Sequence, residues 1–218
     1  MCGIAGIFNY ADPACPVDRP LLERMTQALS HRGPDGDGLW IQGPIGLGHR
    51  RLAIVDLSPT GAQPMRSADG GCITYNGELY NHLDLRGRLL AGHPFRGRSD
   101  TETLLGLLER RGPDVLPDLV GIFAFAYWDS RARRLLLARD PLGVKQLYFN
   151  DDGRRLLFAS EMKALVQCAQ VSRELDGEAL NQYLHFHTPS AERTFFRGIR
   201  QLRPGERVLV DRSGRQHA

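Results

Sequence analysis

Cysteine is scarce in this sequence, and its placement excludes the protein classes that depend on it. The four cysteines stand at positions 2, 15, 72 and 168, with none of the close spacings that mark zinc ribbons or dithiol redox motifs. The seven histidines likewise show no paired spacing of the kind that metal ligands need. We therefore expect no metal site in this chain.

Long apolar runs and clustered charge are absent as well. No apolar stretch reaches the ~20 residues that cross a bilayer, and no basic segment precedes the first apolar residues, as a secretory signal requires. The 28 Lys and Arg residues are interspersed with 25 Asp and Glu residues, for a net charge of +3. This pattern argues against a surface for nucleic acid or anionic membrane. We expect a cytoplasmic protein with reduced thiols.

What remains has the composition of a globular protein, and its patterns predict mixed helix and strand. Of the 218 residues, 42% are hydrophobic, enough to bury a core. Helical spacing of apolar residues appears in residues 18–29, 80–90, 100–110, 161–166 and 176–184. Short apolar runs bounded by turns predict strands at residues 3–9, 39–42, 45–56, 72–75, 121–129, 135–139, 147–149, 156–159 and 207–210. The mixture predicts an α+β fold, most simply two packed sheets with helices outside.

The first candidate for chemistry is Cys2, which directly follows the initiator Met1. Because cysteine is small, methionine aminopeptidase can remove Met1 and leave a thiol and a free α-amine on one residue. An α-amine has a pKa of about 7.7–8.0, so it can act as base while the thiolate acts as nucleophile. Taken alone, Cys2 would more simply be a small residue that leads a strand. Gly3 favours the catalytic interpretation, because it leaves room beside a reacting group.

The pair Asn76–Gly77 is the second candidate. Between apolar runs, Asn-Gly is by itself the strongest short signal for a β-hairpin turn, and residues 72–75 are predicted to form a strand that ends at this pair. The Asn76 amide and the Gly77 backbone N–H are also the kind of paired donors that stabilise an oxyanion. Glu78 follows at once and adds a carboxylate to the same corner.

A guanidinium and a second carboxylate suit an amino-acid ligand. Arg51 can clamp a carboxylate through two hydrogen bonds, and Asp100 can receive an α-ammonium group. Each has an ordinary alternative, a surface ion pair for Arg51 and an acidic residue in the first turn of a helix for Asp100. A thiol, an oxyanion corner and a zwitterion clamp together describe acyl transfer from the side-chain amide of an amino acid.

These residues lie in motifs that closely resemble the glutaminase domain of glutamine-dependent asparagine synthetases, a class II glutamine amidotransferase with an N-terminal-nucleophile hydrolase fold. The resemblance runs nearly from end to end. Its motifs are MCGIAG at 1–6, HRGPD at 31–35, RLAIVD at 51–56, YNGELYN at 75–81, SDTE at 99–102, GIFAFA at 121–126, RDPLGVK at 139–145 and ASEMKAL at 159–165. It implies an αββα sandwich, with two mostly antiparallel sheets between layers of helices.

The resemblance also implies a reaction. Cys2 would attack the carboxamide of L-glutamine while its α-amine moves protons, and Asn76 and Gly77 would hold the tetrahedral oxyanion. Ammonia would leave, and water would hydrolyse the γ-glutamyl thioester to glutamate. Residues 31–35 would form a mobile loop that closes over bound glutamine.

The same resemblance implies the rest of the glutamine pocket. Arg51 would hold the α-carboxylate, and Glu78 and Asp100 would hold the α-ammonium group. Backbone groups near three further residues would line the pocket: Leu52, Ile54 and Val55.

In such enzymes a second, C-terminal domain uses ATP and magnesium to activate aspartate, and ammonia reaches it through a tunnel. The Ser-Gly-Gly-rich pyrophosphate loop of that domain is not found in these 218 residues, so we expect no cofactor in this chain. Residues 1–175 are predicted to form the glutaminase domain, and residues 176–218 a C-terminal extension that leads toward the absent domain. The expected partner is a synthetase domain or subunit that receives ammonia, and a homodimer is left open.

Two other interpretations stay open. If Met1 is retained, Cys2 is an internal residue without a base, and the domain would bind glutamine or dock a partner without catalysis. Alternatively, the chain is the glutaminase half of an amidotransferase whose acceptor is a sugar, a purine precursor or a peptide carboxylate. Residues 181–204 favour the asparagine-synthetase type without fixing the acceptor.

Overall fold

The chain is built from strands and helices within residues 1–189 and 192–217, which are the residues that the computed structural model describes. The strands are β1 (Gly3–Phe8), β2 (Gly36–Gln42), β3 (Ile45–Arg51), β4 (Met65–Arg66), β5 (Cys72–Leu79), β6 (Gly121–Asp129), β7 (Arg134–Arg139), β8 (Tyr148–Asp151), β9 (Leu156–Ala159), β10 (Arg200–Gln201), β11 (Arg207–Asp211) and β12 (Gly214–His217). The α-helices are α1 (Arg19–Gln27), α2 (His82–Leu89), α3 (Asp100–Arg111), α4 (Met162–Leu165) and α5 (Gly177–Phe186). Short 3₁₀ helices span Pro59–Gly61 and Gly112–Asp118.

The strands form two antiparallel sheets that pack face to face. The first sheet has the order β10-β8-β9-β1-β3-β2, and the second has the order β12-β11-β7-β6-β5-β4. One apolar cluster fills the space between the sheets. A second lies between the second sheet and helices α2 and α3, and a third lies between the first sheet and helices α1 and α4. The predicted αββα sandwich is therefore confirmed.

The two faces of β1 show how the sequence sets these layers. Ile4 and Phe8 belong to the cluster between the sheets, whereas Ala5 and Ile7 belong to the cluster under α1. Because side chains alternate along a strand, a strand that is buried on both faces reads as a continuous apolar run. The run at residues 3–9 is of this kind, so β1 lies in the interior of the sheet from its first residue.

Ser99 caps the N-terminus of α3, but within the described residues Glu102 does not bind the Ser99 N–H to complete a capping box. Ser99 accepts a hydrogen bond from the Thr101 N–H at 3.1 Å, an interaction worth ~1 kcal/mol at an N-cap. Glu102, three residues on, accepts instead from the N–H groups of Arg96 and Gly97, at 2.7 and 2.9 Å. It therefore ties down the loop that leads into the helix.

Two predicted strand boundaries are wrong, and both concern the site. The strand predicted to end before Asn76–Gly77 continues to Leu79, with Asn76 opposite Ala124 and Gly77 opposite Phe123 on β6. The hairpin alternative for this pair is thereby excluded. In the other direction, the strand predicted over residues 45–56 ends at Arg51, and the apolar residues that follow it lie in an exposed loop.

The C-terminal residues complete both sheets. β10 pairs with β8 in the first sheet, and β11 pairs with β7 in the second. The predicted last strand is followed by one more, β12, which pairs with β11. Among the described residues, no helix combines the length and apolar character that crossing a membrane requires.

One histidine is fully buried between the sheets. His49 on β3 has no exposed surface, and its Nδ1 lies 3.1 Å from the hydroxyl of Thr74 on β5. Burial, together with the positive charge of Arg51, lowers the pKa of His49 to about 3. The imidazole is therefore neutral in the folded chain at neutral and mildly acidic pH.

This burial predicts a loss of stability on the acid side. Because an unfolded histidine titrates near pH 6.5 and folded His49 only near pH 3, the unfolded chain alone binds this proton between those values. The free energy of unfolding should fall by up to ~1.4 kcal/mol per pH unit as pH drops through this window. Urea unfolding at a series of pH values measures this fall. The slope of the unfolding free energy against pH should be smaller in His49→Leu than in wild type, by the equivalent of about one bound proton. Equal slopes would contradict a neutral buried His49.

Candidate active site

A cleft opens to solvent at the start of β1 and the ends of β3 and β5. Every residue that the sequence predicts for the site lines this cleft: Cys2, Arg51, Leu52, Ile54, Val55, Asn76, Gly77, Glu78 and Asp100. They come from separate parts of the sequence, and the fold brings all of them to one place. Residues 31–35, expected to cover bound glutamine, do not line the cleft.

The register of the first sheet places Cys2 beside the end of β3. Gly3 pairs with Arg50 across the antiparallel strands, so the residue before β1 meets the residues that follow Arg50. The Leu52 N–H donates to Cys2 Sγ at 3.4 Å, and the thiol lies 3.6 Å from the Leu52 carbonyl oxygen. Arg32 Nε donates to the Cys2 carbonyl oxygen at 2.9 Å. The thiol is thus fixed at the cleft through its own backbone and that of its neighbour.

The surroundings of Cys2 disfavour its thiolate. Burial raises the pKa of the Cys2 thiol, and the Leu52 N–H, the positively charged chain terminus and Arg51 oppose this shift, while Asp100 adds to it. Near neutral pH the thiol is therefore mainly protonated. A thiol in this position needs a nearby base before it can attack, because the thiolate is the nucleophilic form.

The Gly77 N–H can serve as a backbone donor because of how one edge of β5 is hydrogen-bonded. β4 is only two residues long, so two side chains take its place farther along. Gln63 accepts from the Tyr75 N–H at 2.7 Å and donates to the Tyr75 carbonyl oxygen at 3.2 Å, and Asp100 accepts from the Leu79 N–H at 3.0 Å. Backbone groups of alternate residues point to the same edge of a strand. The Gly77 N–H, midway between these residues, therefore points to this edge and toward the cleft.

The neighbouring strand supports this orientation. Phe123, the residue opposite Gly77, directs its own backbone groups to Asp140: its N–H donates to the carboxylate at 3.3 Å, and its carbonyl oxygen accepts from the Asp140 N–H at 2.8 Å. Gly77 and Phe123 are thus a pair that exchanges no backbone hydrogen bonds. The strands also approach closely here, since a Cβ on Gly77 would lie 2.4 Å from the Ile122 carbonyl oxygen. Only glycine fits at this position.

Asn76 supplies a second donor without a partner. Its neighbours Tyr75 and Leu79 pack toward α3, so the Asn76 side chain faces the interior between the sheets. It is 1% exposed, and its Nδ2 has no hydrogen-bond partner within the described part of the chain. Leaving a buried donor unpaired costs ~1–3 kcal/mol. A ligand oxygen would satisfy it.

Arg51 is a cation without a protein carboxylate. Its Nη2 donates to the carbonyl oxygens of Asp56 and Ser58, and among residues 1–189 and 192–217 no carboxylate forms an ion pair with it. The surface ion pair that was the ordinary alternative is therefore not observed. The charge of the guanidinium remains available to an anion in the cleft.

Asp100 is the matching carboxylate without a cation. It is 4% exposed and accepts from the Tyr75 hydroxyl at 2.8 Å, the Leu79 N–H at 3.0 Å and the Thr101 N–H at 3.0 Å. It is also the first residue of α3, where the helix dipole favours a negative charge. These donors fix the carboxyl group in the interior, and in the described structure no Lys or Arg pairs with it.

The remaining predicted residues form the rim. Ile54 and Val55 line the cleft while their side chains are 67% and 42% exposed. Glu78 is also exposed, and it lies next to the paired donors at the outer end of β5. The rim can therefore change position more easily than the buried residues below it.

Sequence reasoning missed two residues that shape the site and one at its mouth. Gln63 stands in a loop with no motif around it, and Tyr75 belongs to a quoted motif without an assigned role. Lys145 Nζ lies 3.2 Å from Met1 Sδ at the cleft. The turn that carries Lys145 is held by Asp140, which accepts from the Val144 and Lys145 N–H groups at 3.0 Å each. The RDPLGVK motif pointed to this turn but not to its place beside the cleft.

Comparison with known proteins shows which family shares this arrangement. The family model described as "Glutamine amidotransferase domain" matches residues 1–218. The chain belongs to this family. Among curated proteins, the amidotransferase domain is 38% identical to asparagine synthetase [glutamine-hydrolyzing] 3 of Bacillus subtilis, over 98% of this chain and 35% of that protein. Asparagine synthetase B of Escherichia coli is 38% identical over 84% of this chain and 35% of that protein.

These relatives are longer than the amidotransferase domain, which spans about a third of their length. A solved structure gives an independent comparison of the fold. The glutamine phosphoribosylpyrophosphate amidotransferase of B. subtilis has a TM-score of 0.69 at 21% identity, over 100% of this chain and 49% of that chain. At this identity the likeness shows the shared fold alone.

Gly77→Ala tests the close approach of β5 and β6 in the amidotransferase domain. The added methyl would meet the β6 backbone, so we expect the free energy of unfolding to fall by ~1–3 kcal/mol. Gly87→Ala is the matched control, because a Cβ there meets nothing within 4 Å and alanine favours an exposed helix by ~1 kcal/mol. Urea unfolding measures both. Equal stability of the two variants would show that the strands leave room for a side chain.

Proposed function

We propose that this chain hydrolyses L-glutamine to glutamate and ammonia, with Cys2 as the nucleophile. One observation carries the proposal: a single cleft holds a thiol and, as far as residues 1–189 and 192–217 show, two donors without protein acceptors, a cation without an anion and a carboxylate without a cation. Glutamine has the complementary groups, an amide carbonyl, an α-carboxylate and an α-ammonium. The names of the curated relatives, which describe glutamine-hydrolysing enzymes, support the same substrate.

The reaction follows from these positions. The Cys2 thiolate adds to the amide carbon of glutamine, and the carbonyl electrons move to the oxygen, where Asn76 Nδ2 and the Gly77 N–H hold the negative charge. The carbonyl then re-forms, the C–N bond breaks, and the departing nitrogen takes up the proton that the thiol gave to the base. Ammonia leaves a γ-glutamyl thioester on Cys2. Water adds to the thioester, the C–S bond breaks, and glutamate and the free thiol are released.

The base in this proposal is the α-amine of Cys2. With Met1 attached, the nitrogen of Cys2 is a peptide nitrogen and carries no proton-accepting lone pair. Removal of Met1 converts it into an amine on the same residue as the thiol, with a pKa of about 7.7–8.0. Because burial raises the pKa of the thiol, such a base is what the site otherwise lacks.

Glutamine recognition is assigned to the charged pair. Arg51 holds the α-carboxylate with two charge-assisted hydrogen bonds, and Asp100 holds the α-ammonium group from the opposite side, with Glu78 at the rim. The backbone of Leu52 to Val55 closes the cleft between them. Only a ligand that carries both charges satisfies both residues.

The destination of the ammonia lies beyond this chain in the proposal. The curated relatives are about three times as long as the part that matches, and their names describe asparagine synthesis. We assign ammonia to an asparagine synthetase-type amidation on such a partner domain or subunit, which would also bind the ATP and magnesium. Another acceptor is the competing outcome, and supplying candidate acceptors to the assembled protein decides between them.

A second candidate rests on the position of Met1. It lines the mouth of the cleft and is 55% exposed, and Lys145 contacts its sulfur. If Met1 is retained, the domain binds glutamine or docks a partner without hydrolysis. The two candidates differ in the intact mass of the chain.

Cys2→Ala is expected to lower glutaminase activity below ~0.1% of wild type, because the nucleophile is removed, while glutamine binding stays measurable. Intact mass should show loss of Met1 and, after treatment with the glutamine analogue 6-diazo-5-oxo-L-norleucine, one adduct on Cys2. Cys15→Ala is the control, since it removes an exposed thiol outside the cleft and should keep both activity and adduct. Hydrolysis by Cys2→Ala at the wild-type rate would overturn the nucleophile assignment. A retained Met1 without adduct would favour the non-catalytic candidate.

The clamp is tested with substrates that each lack one charge. Arg51→Ala should weaken glutamine use ~10–100-fold, because charge-assisted hydrogen bonds are worth ~1.5–3 kcal/mol, and should leave 4-aminobutanamide, which has no α-carboxylate, nearly unaffected. Asp100→Asn should also weaken glutamine use, but it should leave glutaric acid monoamide, which has no α-ammonium, nearly unaffected. Steady-state ammonia release is measured for each of the two variants with glutamine and with its truncated analogue, which gives four combinations. Arg88→Ala is the control for loss of an exposed charge. Equal losses of activity toward glutamine and toward its truncated analogue would contradict the assignment of Arg51 and Asp100 to the charged groups of glutamine.

A further inference from the structure

A second row of side chains lies directly beneath the residues of the cleft. Along β3, His49 stands two residues inward from Arg51, and along β5, Thr74 stands two residues inward from Asn76. Because side chains two apart share one face of a strand, His49 and Thr74 face each other between the sheets. The upper row carries the proposed chemistry, and no role has been given to the lower row.

The lower row joins the two sheets. His49 Nδ1 lies 3.1 Å from Thr74 Oγ1, and Thr74 Oγ1 donates to the Gly48 carbonyl oxygen at 3.1 Å. A hydroxyl has one hydrogen to donate, so Thr74 accepts from His49, and the proton of the neutral imidazole is on Nδ1. Among residues 1–189 and 192–217, these are the hydrogen bonds that run from a strand of one sheet to a strand of the other. A weaker polar link, an ion pair of 3.7 Å between Arg215 on β12 and Asp151 on β8, also joins the sheets.

Stability alone does not account for a histidine here. Its Nε2 is buried and has no partner within the described residues, which costs ~1–3 kcal/mol. Around and below it the same interface holds apolar side chains such as Ala124 and Leu47, and a leucine would meet no such cost. A buried polar group that lowers the stability of the fold is expected near functional sites.

We propose that His49 is a positioning residue for glutamine hydrolysis, acting through its hydrogen bond to Thr74. The inference rests on the proposed function. Cys2 directly precedes β1 of the first sheet, whereas Asn76 and Gly77 belong to β5 of the second. The distance between nucleophile and oxyanion donors is therefore set by how the sheets sit against each other. Apolar contacts have no preferred direction, and a hydrogen bond does. The His49–Thr74 bond fixes that alignment one row below the reacting atoms.

The expected effects follow from this geometry. Misplacement of reacting groups by ~1 Å costs up to ~10²-fold in rate, so His49→Leu and Thr74→Val should each lower kcat ~10–100-fold with KM changed less than ~3-fold. The resistance of His49→Leu to urea should equal or exceed that of wild type, because it removes a buried polar group from the core. Thr74→Val should be less resistant, because it leaves the buried His49 N–H without an acceptor. The double variant should be no slower than the slower single one, since both changes break the same bond.

Two further variants separate positioning from simple packing. His49→Asn retains an N–H close to the place of Nδ1 and should restore kcat to within ~3-fold of wild type. Thr26→Val is the matched control: Thr26 is buried and donates to the Leu22 carbonyl oxygen at 2.8 Å, but it lies on α1, on the outer side of the first sheet. It should leave kcat unchanged.

The experiment is steady-state glutaminase kinetics of these five variants beside wild type and Cys2→Ala. Wild-type kcat in both His49→Leu and Thr74→Val would overturn the inference, and so would additive losses in the double variant or a loss in His49→Asn as large as that in His49→Leu. Activity in wild type and its absence in Cys2→Ala uphold the proposed function whatever His49 does. A wild type that releases no ammonia from glutamine would instead overturn the proposed function itself.

Discussion

The cleft depends on one interruption in strand pairing. β4 stops after two residues, and β5 continues beyond it with an edge that has no strand beside it. Such an edge is normally satisfied by water or by another chain. Here the side chains of Gln63 and Asp100 bind the backbone at Tyr75 and Leu79, and the N–H between them is left for a ligand. The edge of β5 is therefore hydrogen-bonded on both sides of Gly77, while the Gly77 N–H itself stays accessible.

The two charged residues of the cleft are held in a similar way, by hydrogen bonds to neutral protein groups. Arg51 is held by carbonyl oxygens and Asp100 by N–H and O–H donors, so both are fixed in place without losing their charge to a protein partner. Dipoles that are oriented before the substrate arrives need no reorganisation during a reaction. A zwitterionic ligand completes both ends at once, and a ligand with a single charge leaves one end unpaired.

Much of this could be predicted from the sequence, and the errors have physical causes. Layers and most strands follow from local apolar patterns, as in Gly121–Asp129, where prediction and structure coincide. Local turn chemistry predicts a strand end at Asn76–Gly77, whereas the pairing of these residues with β6 depends on residues more than 40 positions away. The apolar residues Ile54 and Val55 predict a longer strand after Ile45, but both are exposed and lie beyond its end at Arg51. Gln63 gave no signal, since a lone glutamine acquires its role only where the fold brings it to Tyr75.

The position of β1 also bears on the order in which the protein folds. β1 lies between β3 and β9, and the Ile4 N–H donates to Ser160, 156 residues later in the chain. Because long-range pairs form only after both segments exist, β1 can pair with β3 early in synthesis, whereas its pairing with β9 and the bond from Ile4 to Ser160 wait until those residues have emerged. One edge of β1 therefore stays unpaired until most of the sandwich has been made. The segment that carries Cys2 is thus fixed in place late in folding.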